Sequence, residues 1–319
     1  MPIFGRNSAI GIGAESTWGT AVARTAWFRT VSSGLKRTIE RIARGTLCEA
    51  DASNNIASQY TKSDDAGGPI EILMGYEGMG LWLHHLLWKT PTTTGPDGGG
   101  MYTHTFKLQT APPTGGLTIE QLDGSAQAEV FEGCRLNKGT WKVAVGELMH
   151  LSLDVIAETS GGKVSAGTPA FTTNEIDVAH FNAGTLSFNS GTFTVLSCEW
   201  TIDHKLVRRQ QLGSSVTAEP ATNGFDEILL KVELEYDAVT FYTAFLADTA
   251  SDAVVVFSGT GGRTLTFTLH SAFIKDVGIP VNAVGIMKQT VTLQAKRSST
   301  ANQGFVVQVV NTQTTALAA

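Results

Sequence analysis

Along residues 227–246 the spacing of hydrophobic positions changes once, and the change predicts a strand that runs into a helix. Ile228, Leu230, Val232, Leu234 and Tyr236 alternate with the charged Lys231, Glu233 and Glu235, the pattern of a strand with one buried face and one wet face. Beyond Asp237, a residue suited to an N-cap, Val239, Phe241, Tyr242, Phe245 and Leu246 recur at helical spacing and predict a short helix packed on the sheet. About 160 residues upstream the arrangement occurs once before. There Ile70, Ile72, Met74 and Tyr76 alternate with Glu71, Leu73, Gly75 and Glu77, and Leu81, Trp82, Leu86 and Trp88 then read as a helix. Each copy is preceded by another extended run, 35–49 in the first and 198–211 in the second. A polar, glycine-containing connection, 50–68 or 212–224, joins that run to its strand. The order strand, long loop, strand, helix therefore appears twice, and predicts a tandem duplication.

The remaining pattern fills out the two modules. Residues 1–30 lack strong periodicity and read as an arm lying across another surface. Strands are expected at 102–108, 117–122, 129–136 and 148–156, then at 265–269, 272–277 and 288–295, with a last one at 305–310. The closing stretches 133–158 and 272–296 resemble each other with a residue or so gapped. The stretch 161–169 is the best linker, with 185–193 assignable to the first module although it lies beyond that point. The expected organisation is an arm (1–30), module 1 (31–165), module 2 (166–297) and a tail (298–319). The fold class is all-β dominated, a β-sandwich or barrel with one short α-helix per module.

Composition narrows the function. Only 16% of residues are charged and 34 are glycine, which suits a β-rich assembly protein. A formal charge of −6 argues against a chain built to grip nucleic acid, because phosphate binding needs clustered Lys and Arg. The basic runs 36–44 and 205–209 are interleaved with acids such as Glu40 and Asp203 and carry no stacking aromatics, so cross-strand pairing explains them better. Cys48, Cys134 and Cys198 are odd in number and have no CxxC spacing, as expected of reduced thiols from a cytosolic compartment. No signal-peptide pattern and no apolar run of membrane-spanning length occurs. Neighbouring His84 and His85 point about 100° apart on a helix and cannot share a metal; they read as partly exposed. Gly11-x-Gly13 lacks the strand and third glycine of a dinucleotide loop. Exposed-strand carboxylates without a pocket do not make an acid/base pair. Neither a catalytic residue nor a cofactor or metal ligand is expected.

Three stretches add a resemblance. Residues 11–37, GIGAESTWGTAVARTAWFRTVSSGLKR, resemble the N-terminal segment of the tail tube proteins of long-tailed, siphovirus-type bacteriophages. Residues 277–295, VGIPVNAVGIMKQTVTLQA, resemble the last strands of their tube domain, and the strand, long loop, strand, helix unit is similar to theirs. The resemblance implies a virion protein made in the host bacterial cytoplasm. In that family the long strands of neighbouring domains join into one β-barrel around a channel, and the long loops reach the adjacent ring. Rings of six domains imply a homotrimer of a two-domain chain, with pseudo-six-fold symmetry and no unpaired strand edge.

Parity then assigns a lumen face: Glu71, Glu77, Glu199, Asp203, Lys205, Arg209, Glu227, Lys231, Glu233 and Glu235, an acid-rich wall past which DNA slides without specific binding. Inter-ring contacts fall to Asp51, Asn54, Asn55, Gln59, Tyr60, Asp64 and Asp65 in the first loop, and Ser214, Ser215, Thr217, Glu219 and Asn223 in the second. The implied partners are further copies of the chain, a tape measure protein inside the tube, terminator and distal tail proteins at its ends, and DNA in transit, without a membrane. The alternatives are another β-sandwich virion component, such as a tail terminator or decoration protein, and a carbohydrate-binding module.

Overall fold

A computed structural model describes residues 8–43, 59–124, 127–171, 177–181, 184–189, 191–236, 240–278, 287–296 and 304–317. In chain order the first strands are β1 (Ala9–Ala14), β2 (Ala26–Ser33), β3 (Lys36–Ala43) and β4 (Gln59–Leu73), followed by helix α1 (Gly80–Leu87). Next come β5 (Thr92–Thr94), β6 (Tyr102–Lys107), β7 (Leu117–Leu122), β8 (Gln127–Ala144), β9 (His150–Ala157), β10 (Thr159–Ser165), β11 (Gly184–Phe188) and β12 (Gly191–Phe193). The last group is β13 (Val195–Asp203), β14 (Leu206–Arg209), β15 (Ala218–Thr222), β16 (Glu227–Glu235), α2 (Thr240–Leu246), β17 (Ser251–Ser258), β18 (Thr264–Gly278), β19 (Lys288–Gln294) and β20 (Phe305–Asn311). Strand outweighs helix, 62% against 7%, so the all-β class holds.

Two long strands organise the chain because each changes partners midway. The first half of β8 lies between β7 and β10, and its second half between β9 and β13. The first half of β18 lies between β17 and β20; its second half pairs with β19. The bend in β18 falls at Ser271, at φ 48°, whose N–H donates to Asp252 Oδ1 at 2.8 Å. That bend makes the sequence read as two short strands.

Antiparallel pairing of β1, β2, β4, β9, β8 and β7, and of β7 back to β1, closes a six-stranded barrel. Residues 8–30 are therefore part of the chain's own closed barrel, with Ile10, Ile12 and Phe28 buried, where an arm lying across another surface was expected. The same strands open into a second feature, an eight-stranded run in the order β2/β3, β4, β9, β8, β13, β16, β19, β18. A second sheet, β12-β11-β17-β18-β20-β6-β5, covers one face of this run. Trp141 and Trp200, paired across β8 and β13, fill the space between the layers. Trp200 stacks on Phe267 at 4.6 Å, and Trp141 meets the same ring edge-on at 5.4 Å. Burying aromatics of this size dominates core energetics.

The two halves of the run share order and irregularities. β2 meets β4 with a bulge at Val31, between Thr30↔Ile72 and Ser32↔Glu71; β13 meets β16 with a bulge at Leu196, between Val195↔Leu234 and Ser197↔Glu233. β8 meets β9 with a bulge at Asn137, and β18 meets β19 with one at Lys275. A bulge re-aims a strand and fixes its register, so matching bulges mean matching geometry.

Several elements differ from the sequence expectation. Residues 59–68 are strand β4 and not a loop, because they pair with β3 and β9. The linker 161–169 begins as strand β10, which pairs with β8. The stretch 185–193 falls in β11 and β12, which pair with each other, and β11 also pairs with β17 on the side of the second half. Strand β17 was not anticipated, because its Val254–Val256 run has no alternation. The tail is also built in: β20 lies between β18 and β6, and Ala316 O lies against Gly80 so closely that a Cβ there would meet it at 1.6 Å. Among the described residues, no helix is long and apolar enough to cross a membrane.

Candidate functional site

The face of the eight-stranded run turned away from the second sheet is wet. One register row crosses all eight strands: Ser32, Glu71, Ser152, Thr140, Thr201, Leu229, Gln294 and Phe273, each exposed or half-buried. The neighbouring row, Ile70, Leu153, Gly139, Ile202 and Ile228, is buried. Period-2 alternation therefore holds across these five strands, and Val232 and Leu234 face the core.

Charges on the wet face are interleaved. Glu227 accepts from Lys275 Nζ at 3.0 Å and from Lys205 Nζ at 3.3 Å, and these two lysines, Lys275 first, hold its carboxyl below the ordinary range. Lys205 also reaches Asp203 at 2.6 Å, Lys288 pairs with Glu233 at 2.8 Å, and His150 Nδ1 lies 2.9 Å from Glu71. Glu199 stands between Lys142 and Lys231 in the register. Glu235 lies opposite Lys288. Such half-exposed pairs contribute at most about 1 kcal/mol each, so they set local charge more than stability. Arg209 is exposed at the end of β14, beyond the sheet. Glu77 does not join this face. It lies past β4, 5% exposed, accepting from Arg263 Nε at 2.8 Å and Thr312 Oγ1 at 2.9 Å. Parity failed there because the strand ends at Leu73.

Sequence parity also missed the lysines. Lys138, Lys142, Lys275 and Lys288 enter the wet face from β8, β18 and β19, opposite Asp203, Glu199, Glu227 and Glu235 by register or ion pair. The face is therefore mixed in charge, in place of the acid-rich wall that counting on β13 and β16 suggested. The signal was present in the alternation of residues 288–294, KQTVTLQ.

The two loops named for ring contacts pack on each other. Asp64 N–H donates to Ser215 O at 2.8 Å, Asp65 Oδ1 accepts from Thr217 Oγ1 at 3.2 Å, and Arg208 Nη2 donates to Ala66 O at 2.6 Å. Asp64 is buried in a bidentate pair with Arg37, which holds its carboxyl below the usual value. Thr217 is fully buried, and Glu219 pairs with buried Arg135. Asp64 and Thr217 are thus structural residues of coupled hairpins, whereas Tyr60, Leu212 and Phe225 are exposed. Ser214 caps its own turn by accepting from Val216 N at 3.3 Å, and Asn223 N donates to Lys205 O. Gln59 opens β4. Asp51, Asn54 and Asn55 lie outside the described residues.

Comparison with known proteins now bears on this architecture. The sequence model of the phage tail tube protein family matches residues 5–304. The chain belongs to that family. As a phage tail tube protein it is a structural component of the virion. Hcp1 from Flavobacterium johnsoniae is a solved structure to which the tube protein is similar over 35% of its length and 89% of that chain, at 10% identity and a TM-score of 0.25. None of the curated proteins compared with it matches.

The tube protein's titratable residues are otherwise used in packing. His85 is buried, contrary to the partly exposed reading, because α1 is enclosed on nearly all sides; burial, then His84 and Arg135, push its imidazole down to about 3. Cys134 and Cys198 are free and buried, with burial raising both thiols, Cys198 to about 12. Among the described residues, no cluster of His, Cys, Asp and Glu could hold a metal ion.

Proposed function

We propose that the chain carries two fused tube modules, and that its eight-stranded run is one arc of a closed barrel whose wet face lines a channel. Three copies then close a homotrimeric ring with pseudo-six-fold symmetry. Rings stack through the hairpins β3–β4 and β14–β15 into a hollow siphovirus-type tail tube, assembled around a tape measure protein, capped by terminator and distal tail proteins, and later conducting the genome. The observation that carries this reading is the seam inside the chain. β8 and β13 join two four-stranded units that share strand order and bulge positions. Among the described residues, the outer edge of Ser32–Thr38 and the outer edge of Phe273–Gly278 have no ladder partner. An open edge invites a strand, and closure into a ring removes both edges at once. The mixed charge of the wall gives passing DNA no continuous basic track to adsorb on.

Negative-stain electron microscopy of concentrated protein, paired with mass determination of the soluble form, tests this. Hollow tubes, with a trimer as the smallest closed unit, are expected. Rings of six chains would refute the duplication, and a monomer that never assembles would refute the tube itself. Replacing the exposed Tyr60, Leu212 and Phe225 of the two hairpins by serine is expected to leave folded protein that no longer forms tubes.

A further inference from the structure

The internal seam contains more than a strand pair. The C-terminal turn of α1 packs on the end of β13: Leu86 O accepts from His204 Nε2 at 2.7 Å, and Trp88 stacks on the His204 ring at 3.8 Å. His204 N–H in turn donates to Asn137 O, at the bulge of β8. A helix of one module thus rests on the first strand of the next.

The matching bulges give the equivalent residues at the open ends. Aligning Leu196 with Val31 places Ile39 where His204 stands, and aligning Asn137 with Lys275 extends the same match to β18. The helices align through their left-handed terminal residues, Trp88 at φ 66° and Asp248 at φ 45°, which sets Leu246 where Leu86 stands. In this chain Leu86 is fully buried, but Leu246 is 68% exposed, and beside it Tyr242 and Phe245 are 46% and 40% exposed. Ile39, at the other end of the molecule, is 41% exposed. Where the internal seam pairs a histidine with a carbonyl and an aromatic ring, both open ends present bare apolar side chains. Exposed apolar surface on two different sides of one molecule, placed by the same register, is the mark of a head-to-tail contact between copies.

We propose that α2 docks on β3 of a second copy of this chain, covering Tyr242, Phe245 and Leu246 with the surface around Ile39. In this contact the edge at Asp276–Gly278 pairs antiparallel with Lys36–Thr38 of the neighbouring copy, and that copy's Ile39 N–H donates to the Lys275 carbonyl. The proposal rests on the ring reading and specifies its contact.

The test uses full-length protein carrying Cys48→Ser, since Cys134 and Cys198 are buried. Ile39→Cys and Leu246→Cys variants are mixed, assembled and oxidised. A disulfide-linked dimer is expected in the mixture and in neither variant alone, and the double variant is expected to give a ladder ending at the closed ring. Val164→Cys mixed with Leu246→Cys serves as the control. Tubes without a cross-link above that control would overturn the docking contact and leave the ring reading standing; wild-type protein that forms no tubes would overturn both. As an independent arm, Leu246→Asp is expected to leave the melting temperature of the soluble subunit unchanged while raising the protein concentration needed for tubes at least about tenfold. Tubes at the wild-type concentration would refute the contact.

Discussion

Helices α1 and α2 follow strands of the same pattern, yet their surroundings are opposite. In α1 every residue but His84 is buried, under Phe28, the seam at His204 and the chain's last turn at Ala316. In α2 only Phe241 and Ala244 are buried, against Phe188, Phe193 and β18. The expected apolar face of α2 is therefore largely bare within its own chain. The difference teaches that an apolar helix pattern specifies what must be covered and not which part of an assembly covers it.

Substitutions in the two helices should break this comparison most visibly. Trp82→Ala in α1 is expected to cost about 3–5 kcal/mol by urea denaturation, through lost burial and the cavity left behind. The counterpart Tyr242→Ala should stay within about 0.5 kcal/mol in the soluble subunit. Arg263→Met comes next. It strands the buried Glu77 carboxylate that closes the segment before α1, and about 3 kcal/mol should be lost near neutral pH. His204→Ala removes the ring under Trp88 and the donor to Leu86, for about 1–3 kcal/mol, with increased proteolysis at the seam as a second readout.

The smallest effect concerns the barrel of the first half, where Glu15, Glu132 and Glu158 lie close together. Burial, then Glu15 and Glu132, raise the Glu158 carboxyl, and one of its oxygens is buried without a partner. A carboxyl with a raised folded pKa contributes stability below its unfolded pKa and loses it as pH rises through the folded value. Glu158→Gln should therefore raise the melting temperature slightly at pH 7, and the gain should vanish below about pH 4, near the unfolded carboxyl value. A gain of equal size at both pH values would assign the effect to packing.

Strand and helix type were legible wherever alternation was strict, as in 227–236 and 288–294, because one face of each strand is buried and the other wet. The long strand β18 was read as two fragments, because Ser271, at positive φ, bends it from one layer into another and a bend looks like a turn in sequence; β8 was read only over 129–136, stopping where the bulge at Asn137 falls. Part of the candidate site was visible as parity on β13 and β16. The lysines opposite were not counted, since which strands lie side by side is a property of pairing across about 50 to 65 residues of chain. Asp64 and Thr217 looked like loop residues because polarity signals exposure on average; here the Asp64 side chain is held by Arg37 across its own hairpin, and Thr217 by Asp65 of the other hairpin.

The position of β20 has a consequence for timing. It lies between β18 and β6, whose partners in register, Thr105 and Gln308, are about 200 residues apart in the chain. Local pairs such as β3–β4 can form while the polypeptide is still being synthesised, but the outer layer has to wait for its last strand. Until Phe305–Asn311 emerges, β6 and β18 lack the strand between them and the aromatic pair at the seam lacks Phe305. A nascent or truncated chain is therefore left with an incomplete outer layer.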